Sequence, residues 1–129
     1  MTHGTMTRLI AAGLLACVGA AAHASSIDGA WQGVVRDGSQ AVRTTVWRKA
    51  EAIRVHFGEP RNCAAAAELL EESGGSSHFR FKPASNGGGF CEALYPGDFV
   101  LTPEEQGVSI RFQRRGSTWS GNLSETANP

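Results

Sequence analysis

The chain has 129 residues, with 12 lysines and arginines against 12 aspartates and glutamates, four histidines and three cysteines. That length holds one small domain. The balanced, interspersed charge leaves no bulk field that would draw nucleic acid or an anionic membrane.

The first segment reads as a secretory signal. Arg8 supplies its positive region, Leu9 to Val18 its apolar run, and Ala22-His23-Ala24 a small-x-small cleavage pattern. The run is short for a membrane span, and polar Ser25-Ser26 follows. The expected organisation is a signal peptide over 1–24 and a single domain over 25–129. Two alternatives stand beside it: an uncut N-terminal anchor, and a lipoprotein. For the latter, Leu14-Leu15-Ala16-Cys17 resembles a bacterial lipobox whose Cys17 carries a lipid anchor. The expected location is periplasmic or secreted. Removing Arg8 leaves 11 basic against 12 acidic residues, a net charge of −1 for the mature chain.

Cys63 and Cys91 then remain as an even pair in an oxidising compartment, and a Cys63–Cys91 disulfide is expected. Two free buried thiols are the alternative. In a domain this small, closing such a loop stabilises the fold by about 3–4 kcal/mol.

Taken in order, Trp31 to Arg36 reads as a strand, and Asp37-Gly38 signals a hairpin. Ala41 to Arg48 alternates, with Val42, Thr44 and Val46 on one face and Arg43, Thr45 and Trp47 on the other. Ile53 to Phe57 alternates too, with Arg54 and His56 outward, and ends before Pro60. Asn62 to Glu72 is rich in Ala, Leu and Glu and predicts the chain's one helix, capped by Asn62 and stopped by Ser73-Gly74-Gly75. On that helix Glu68, Glu71 and Glu72 form a solvated acidic face.

His78 to Lys82 alternates with Phe79 and Phe81 inward. Pro83 to Gly89 is a flexible loop, and Phe90 to Leu94 a short strand carrying the second thiol. Tyr95-Pro96-Gly97-Asp98 turns the chain. Strands follow over Phe99–Thr102, Val108–Gln113 and Thr118–Leu123, and the tail from about 125 is expected to be disordered. About eight short strands with one inserted helix suggest a mainly β, small antiparallel up-and-down barrel, since closure removes aggregation-prone edges. Trp31 and Trp119, in the two W-x-G triplets, are expected to be neighbours where the first and last strands meet.

Gly29-x-Trp31, at the start of the first strand of a small secreted barrel, resembles the lipocalin and wider calycin pattern. The resemblance implies that Trp31 closes one barrel end; it carries over no ligand. Thr118-Trp119-Ser120-Gly121 is similar to the last strands of avidin-like barrels, and the outline resembles uncharacterised bacterial periplasmic proteins. The chain departs from lipocalins in being shorter, with its helix mid-chain. It departs from avidins in lacking their full set of pocket aromatics.

No catalytic constellation is legible. There is no Gly-x-Ser-x-Gly elbow and no phosphate-cradling loop before a helix, so no cofactor is implied. His56 and His78 lack a third ligand of suitable spacing, so no metal is expected. The Asn122-Leu123-Ser124 sequon is discounted because the leader looks bacterial.

Binding remains, to a small ligand in the barrel mouth or to an envelope protein. The candidate residues are Trp47, Arg54, His56, His78, Arg80 and Tyr95. If their strands pair, Arg54, His56, His78 and Arg80 form one basic patch; otherwise they are a solvated strand face. Trp47 either faces inward with Arg43 and Thr45, or is exposed as a partner's anchor, or is covered by the helix. Tyr95 and the Pro83–Gly89 loop form a rim. The expectation is a non-enzymatic binding protein. The alternatives are an inhibitor or immunity-type protein that blocks an envelope enzyme, and a small enzyme with His56 or His78 as general base.

Overall fold

The computed structural model describes residues 27–84 and 89–127. The leader read over 1–24, with Cys17, lies outside the described residues, as do residues 85–88, 128 and 129. The described chain runs β1 (Gly29–Asp37), β2 (Gln40–Lys49), β3 (Ala52–Phe57), β4 (Cys63–Ser73), β5 (Ser76–Phe81), α1 (Gly89–Glu92), β6 (Asp98–Glu104), β7 (Gly107–Arg114) and β8 (Ser117–Glu125). Each strand pairs antiparallel with the next, and β8 pairs with β1 to close the barrel. The expected mainly β, up-and-down barrel is therefore the fold. The first hairpin turns one residue later than its strongest signal: Asp37 pairs with Gln40, and Gly38, at φ 60, takes the first central turn position.

Strict alternation carries through to burial in β3, β5 and β7. Ile53, Val55, Phe57, Phe79, Phe81, Val108, Ile110 and Phe112 are all buried. The chain contains six phenylalanines, and Phe57, Phe79, Phe81, Phe90, Phe99 and Phe112 join Trp119 in one inner cluster. Phe99 lies 5.0 Å from Phe79 and 4.6 Å from Phe81, centroid to centroid, and Phe57 lies 4.9 Å from Phe90. Each buried ring removes enough apolar surface from water to stabilise the fold by about 1.5–3 kcal/mol. The barrel interior is filled by these side chains.

The predicted helix over Asn62–Glu72 is instead strand β4. Helix propensity is a weak prior that tertiary context overrides. Here the context is volume. β4 lies between β3 and β5, with Phe57 opposite Cys63, Val55 opposite Ala65 and Ala67 opposite Phe81. Small inward residues on the middle strand leave room for the rings on either side. A β-bulge between Leu69 and Glu71 then adds one residue and switches the strand's parity. Glu71 thereby faces outward opposite His78, and Glu72 comes to the inner side opposite Ser77.

The expected strand at Phe90–Leu94 is the place of the short helix α1. Its segment crosses one mouth of the barrel, with Phe90, Cys91 and Leu94 buried. Cys63 and Cys91 are disulfide-bonded, tying the start of β4 to α1. We call this mouth the helix end.

The first and last strands do meet, but Trp31 and Trp119 are not neighbours. Trp31 pairs with Glu125, whereas Ser120 pairs with Arg36. The antiparallel register thus puts the two tryptophans at opposite ends of the seam. Trp119 is buried against Phe90 and Phe112 at the helix end. Trp31 packs at the other mouth, where its indole N–H donates to the Ile27 carbonyl at 3.2 Å. What the two W-x-G triplets share is the glycine. A Cβ on Gly33 would strike the Asn122 carbonyl, and one on Gly121 would strike the Val34 carbonyl. The seam closes because both strands are bare where they approach most closely. Pairing also runs further than expected at the tail: Glu125 ends β8, and the Thr126 N–H donates to the Ala30 carbonyl at 2.8 Å.

Candidate functional site

β2 resolves the parity of Trp47. Val42, Thr44, Val46 and Arg48 are buried inside, so Trp47 stands on the outer wall, half-buried. No helix covers it. Its cross-strand partners are Ala30 on β1 and Arg54 on β3, and Arg54 in turn pairs with Ala66 on β4. The next row along the barrel is Gln32, Thr45, His56 and Ala64. The alternation of four strands thus places one large ring beside Arg54 and His56, with alanines at either edge of the face.

Geometry ties the candidates together. The Arg54 guanidinium carbon lies 5.5 Å from the Trp47 ring centroid, a cation–π contact worth about 0.5–1 kcal/mol at an exposed site. The His56 ring centroid lies 6.3 Å from that of Trp47, the rings tilted by 53°. Gln32 donates from Nε2 to Thr45 Oγ1 at 3.0 Å.

Two open recesses flank the indole. One, mainly apolar, is lined by Gly29, Trp47, Ala52, Arg54 and Ala66 among others. The other is lined by Gln32, Arg43, Thr45, Trp47, His56 and Gly58. Neither lining includes a carboxylate. The surface is an aromatic platform with cationic borders.

His78 and Arg80 do not join this patch. β4 separates β3 from β5, so the expected four-residue basic cluster does not form. The second pair is instead bridged by Asp98 of β6, a partner the alternation pattern did not reveal. His78 Nε2 lies 3.1 Å from Asp98 Oδ2, and Arg80 Nε donates to Oδ1 at 3.0 Å. The His78 side chain is 39% exposed and that of Asp98 33%, so this ion network lies on the outer wall. Tyr95, 50% exposed, stands beyond α1 at the helix end, apart from Trp47. Among the described residues, no group of three or more His, Cys, Asp or Glu is placed to hold a metal ion.

A polar cluster that the sequence did not disclose sits inside the other mouth. Arg48 enters the interior with its side chain 5% exposed and its guanidinium carbon 5.2 Å from the Phe79 centroid. It donates to the Ala50 carbonyl at 2.8 Å, Ser77 Oγ at 3.0 Å and Glu72 Oε2 at 2.9 Å. Ser77 Oγ also donates to Glu72 Oε2. The hydrogen bond from Arg48, and after it the one from Ser77, holds the Glu72 carboxyl below its ordinary value. Each of the three guanidinium nitrogens makes a hydrogen bond, which makes this cluster a closure of the barrel end. We call this mouth the Arg48 end.

No protein-family model, curated protein or solved structure matches the chain. The eight-stranded antiparallel closed barrel is consistent with the lipocalin and calycin resemblance without establishing it. The disulfide points to an oxidising, extracytoplasmic setting.

Proposed function

We propose that the protein is a non-enzymatic binding protein of the periplasm or extracellular space that engages an envelope protein through the outer wall around Trp47. The observation carrying this reading is the pairing of a filled interior with a half-buried tryptophan outside. A carrier of the lipocalin type holds its ligand in the barrel, and here six phenylalanines occupy that space. A large, rigid aromatic beside an arginine is the residue pair in which binding energy concentrates at protein interfaces. The small residues Ala30, beside the indole, and Ala66, beyond Arg54, leave open space on this face.

An inhibitor or immunity-type role is the same reading with an enzyme as the partner. The non-enzymatic assignment is supported by the state of His78: its carboxylate neighbour is shared with Arg80 on an open wall, not held inside a cleft. Export follows the leader read over 1–24, with cleavage near Ala24 or lipidation at Cys17. Mass measurement of the processed chain separates those two products.

The test is capture of envelope proteins by the wild-type chain and by a Trp47→Ser variant. A protein retained by the former and lost with the latter is expected. Equal recovery with both would overturn the assignment of this face. An outward position next to water makes the variant structurally mild, which circular dichroism checks.

A further inference from the structure

At the helix end two arginines meet on one ring, a third follows in the chain, and among the described residues none of the three is ion-paired. Arg61, in the β3–β4 connection, has its guanidinium carbon 5.2 Å from the Phe90 centroid, and Arg114, at the end of β7, has its own 4.3 Å from the same ring. Both cations therefore sit on one buried phenyl group. Arg115 follows directly in the β7–β8 turn. Among the described residues none of the three lies within ion-pair distance of an acid; the ion pairs found join Arg48 to Glu72 and both His78 and Arg80 to Asp98. Asp37, Glu59 and Glu92 belong to the same end by sequence, yet none is paired with them.

The arrangement is held in place. Arg114 donates from Nε to the Phe90 carbonyl at 3.0 Å and from Nη2 to the Gly89 carbonyl at 3.2 Å. Arg61 donates from Nη2 to Gln40 Oε1 at 3.0 Å. These bonds fix two guanidinium groups and leave most of their N–H donors unused. The concentration of charge is costly: burial first, then Arg115 and Arg61, lower the affinity of Arg114 for its proton.

Arg115 is held in the left-handed region, at φ 53, followed by Gly116 at φ 84. In a two-residue hairpin turn of this kind asparagine or glycine is the unstrained choice for the first position. Arginine here accepts a backbone penalty and adds to an existing repulsion, so local stability does not account for it.

We propose that Arg61, Arg114 and Arg115 form an anion site at the helix end that takes a phosphate group. A planar carboxylate is satisfied by one guanidinium fork. Three arginines from two segments, the β3–β4 connection and the β7–β8 hairpin, suit a tetrahedral group with several charged oxygens. The phosphate belongs either to a soluble ester or to the headgroup of an anionic phospholipid. The site is independent of the Trp47 face.

The test titrates inorganic phosphate into the full chain, disulfide formed, at constant ionic strength, since simple screening would otherwise mimic binding. The Arg114 Nε–H resonance and the thermal midpoint report the outcome. A saturable response beyond that of chloride is expected. The Arg115→Asn variant should melt no lower than wild type yet bind phosphate more weakly by about tenfold or more, the loss of one charge-assisted contact. It keeps the test open even where Arg114→Gln unseats α1. Flotation with phosphatidylglycerol-containing vesicles but not with phosphatidylcholine alone assigns the lipid headgroup; phosphate saturation without flotation assigns a soluble ester. A response equal to that of chloride with no flotation overturns the site. So does an Arg115→Asn variant that binds phosphate as tightly as wild type.

Discussion

The two mouths of the barrel are closed by opposite chemistry. At the helix end, the segment between β5 and β6 is long enough to cross the opening. It brings Phe90, Cys91 and Leu94 down onto the rings of Phe57 and Trp119. The Cys63–Cys91 bond then ties that cover to β4. At the Arg48 end, successive strands are joined by tight turns such as Gly74-Gly75, which cannot reach across. Closure there comes from a long strand side chain, with Ile27 and Trp31 beside it. Arg48 lays its stem over Phe79, and its buried charge requires partners for its donors. Ala50, Ser77 and Glu72 supply them. Connection length thus decided which end could be closed by apolar burial and which needed a satisfied polar group.

This contrast predicts where the molecule is vulnerable. Phe90→Ala should cost the most, about 3–5 kcal/mol in denaturant unfolding, because it empties the centre of the cover over the helix end. Amide exchange should speed up there first and leave the Arg48 end protected; uniform loss of protection would show that the two closures are one cooperative unit. Replacing Cys63 and Cys91 together by serine should cost about 3–4 kcal/mol, through the freed unfolded chain as well as the lost tie. A double variant as stable as the oxidised wild type would mean that apolar burial alone closes that end.

At the opposite mouth the effects should be smaller. Arg48→Ala should cost about 1–3 kcal/mol, since it removes packing on Phe79 and three hydrogen bonds but leaves Glu72 able to reach water. Glu72→Gln is the mildest. Its side chain is 49% exposed, so screening should hold the loss under about 1 kcal/mol near neutral pH. Its sign with pH is definite. The carboxyl titrates lower in the folded chain than in the unfolded one, so its contribution is complete above the ordinary value of 4.5 and disappears as pH falls through the lowered folded value. Wild type should therefore lose stability across that acid range more steeply than Glu72→Gln. Parallel acid limbs would remove Glu72 from the closure.

Legibility tracked how far each signal depends on neighbours in sequence. Alternation in β3, β5 and β7 needs no partner to be recognised, and burial followed it residue by residue. The disulfide needed only two thiols and a compartment. Of the candidate binding residues, Trp47, Arg54 and His56 share one face because β2 and β3 are a hairpin. His78 and Arg80 were legible as outward, but their counter-charge Asp98 comes from across the long connection and carries no local mark. Arg43 and Thr45 share the Trp47 face by alternation along β2, whereas Gln32 joins it only through strand register.

By itself the sequence determined short alternating strands, a pair of cysteines to be joined, and glycines in two matching triplets. Those are properties of period, composition and residue type. The tertiary structure decided the rest. Ala64 to Leu70, helical by propensity, became strand because a ring of eight requires a member between β3 and β5 whose inward residues are small enough for the neighbouring phenylalanines. Phe90 to Glu92 became helix because the ring was already complete and its mouth still open. The two W-x-G triplets took their meaning from an antiparallel seam, in which the same motif sends its tryptophans to opposite ends and brings its glycines to the closest approach of the backbones. Volume and register act across the whole barrel, and no local stretch of sequence displays them.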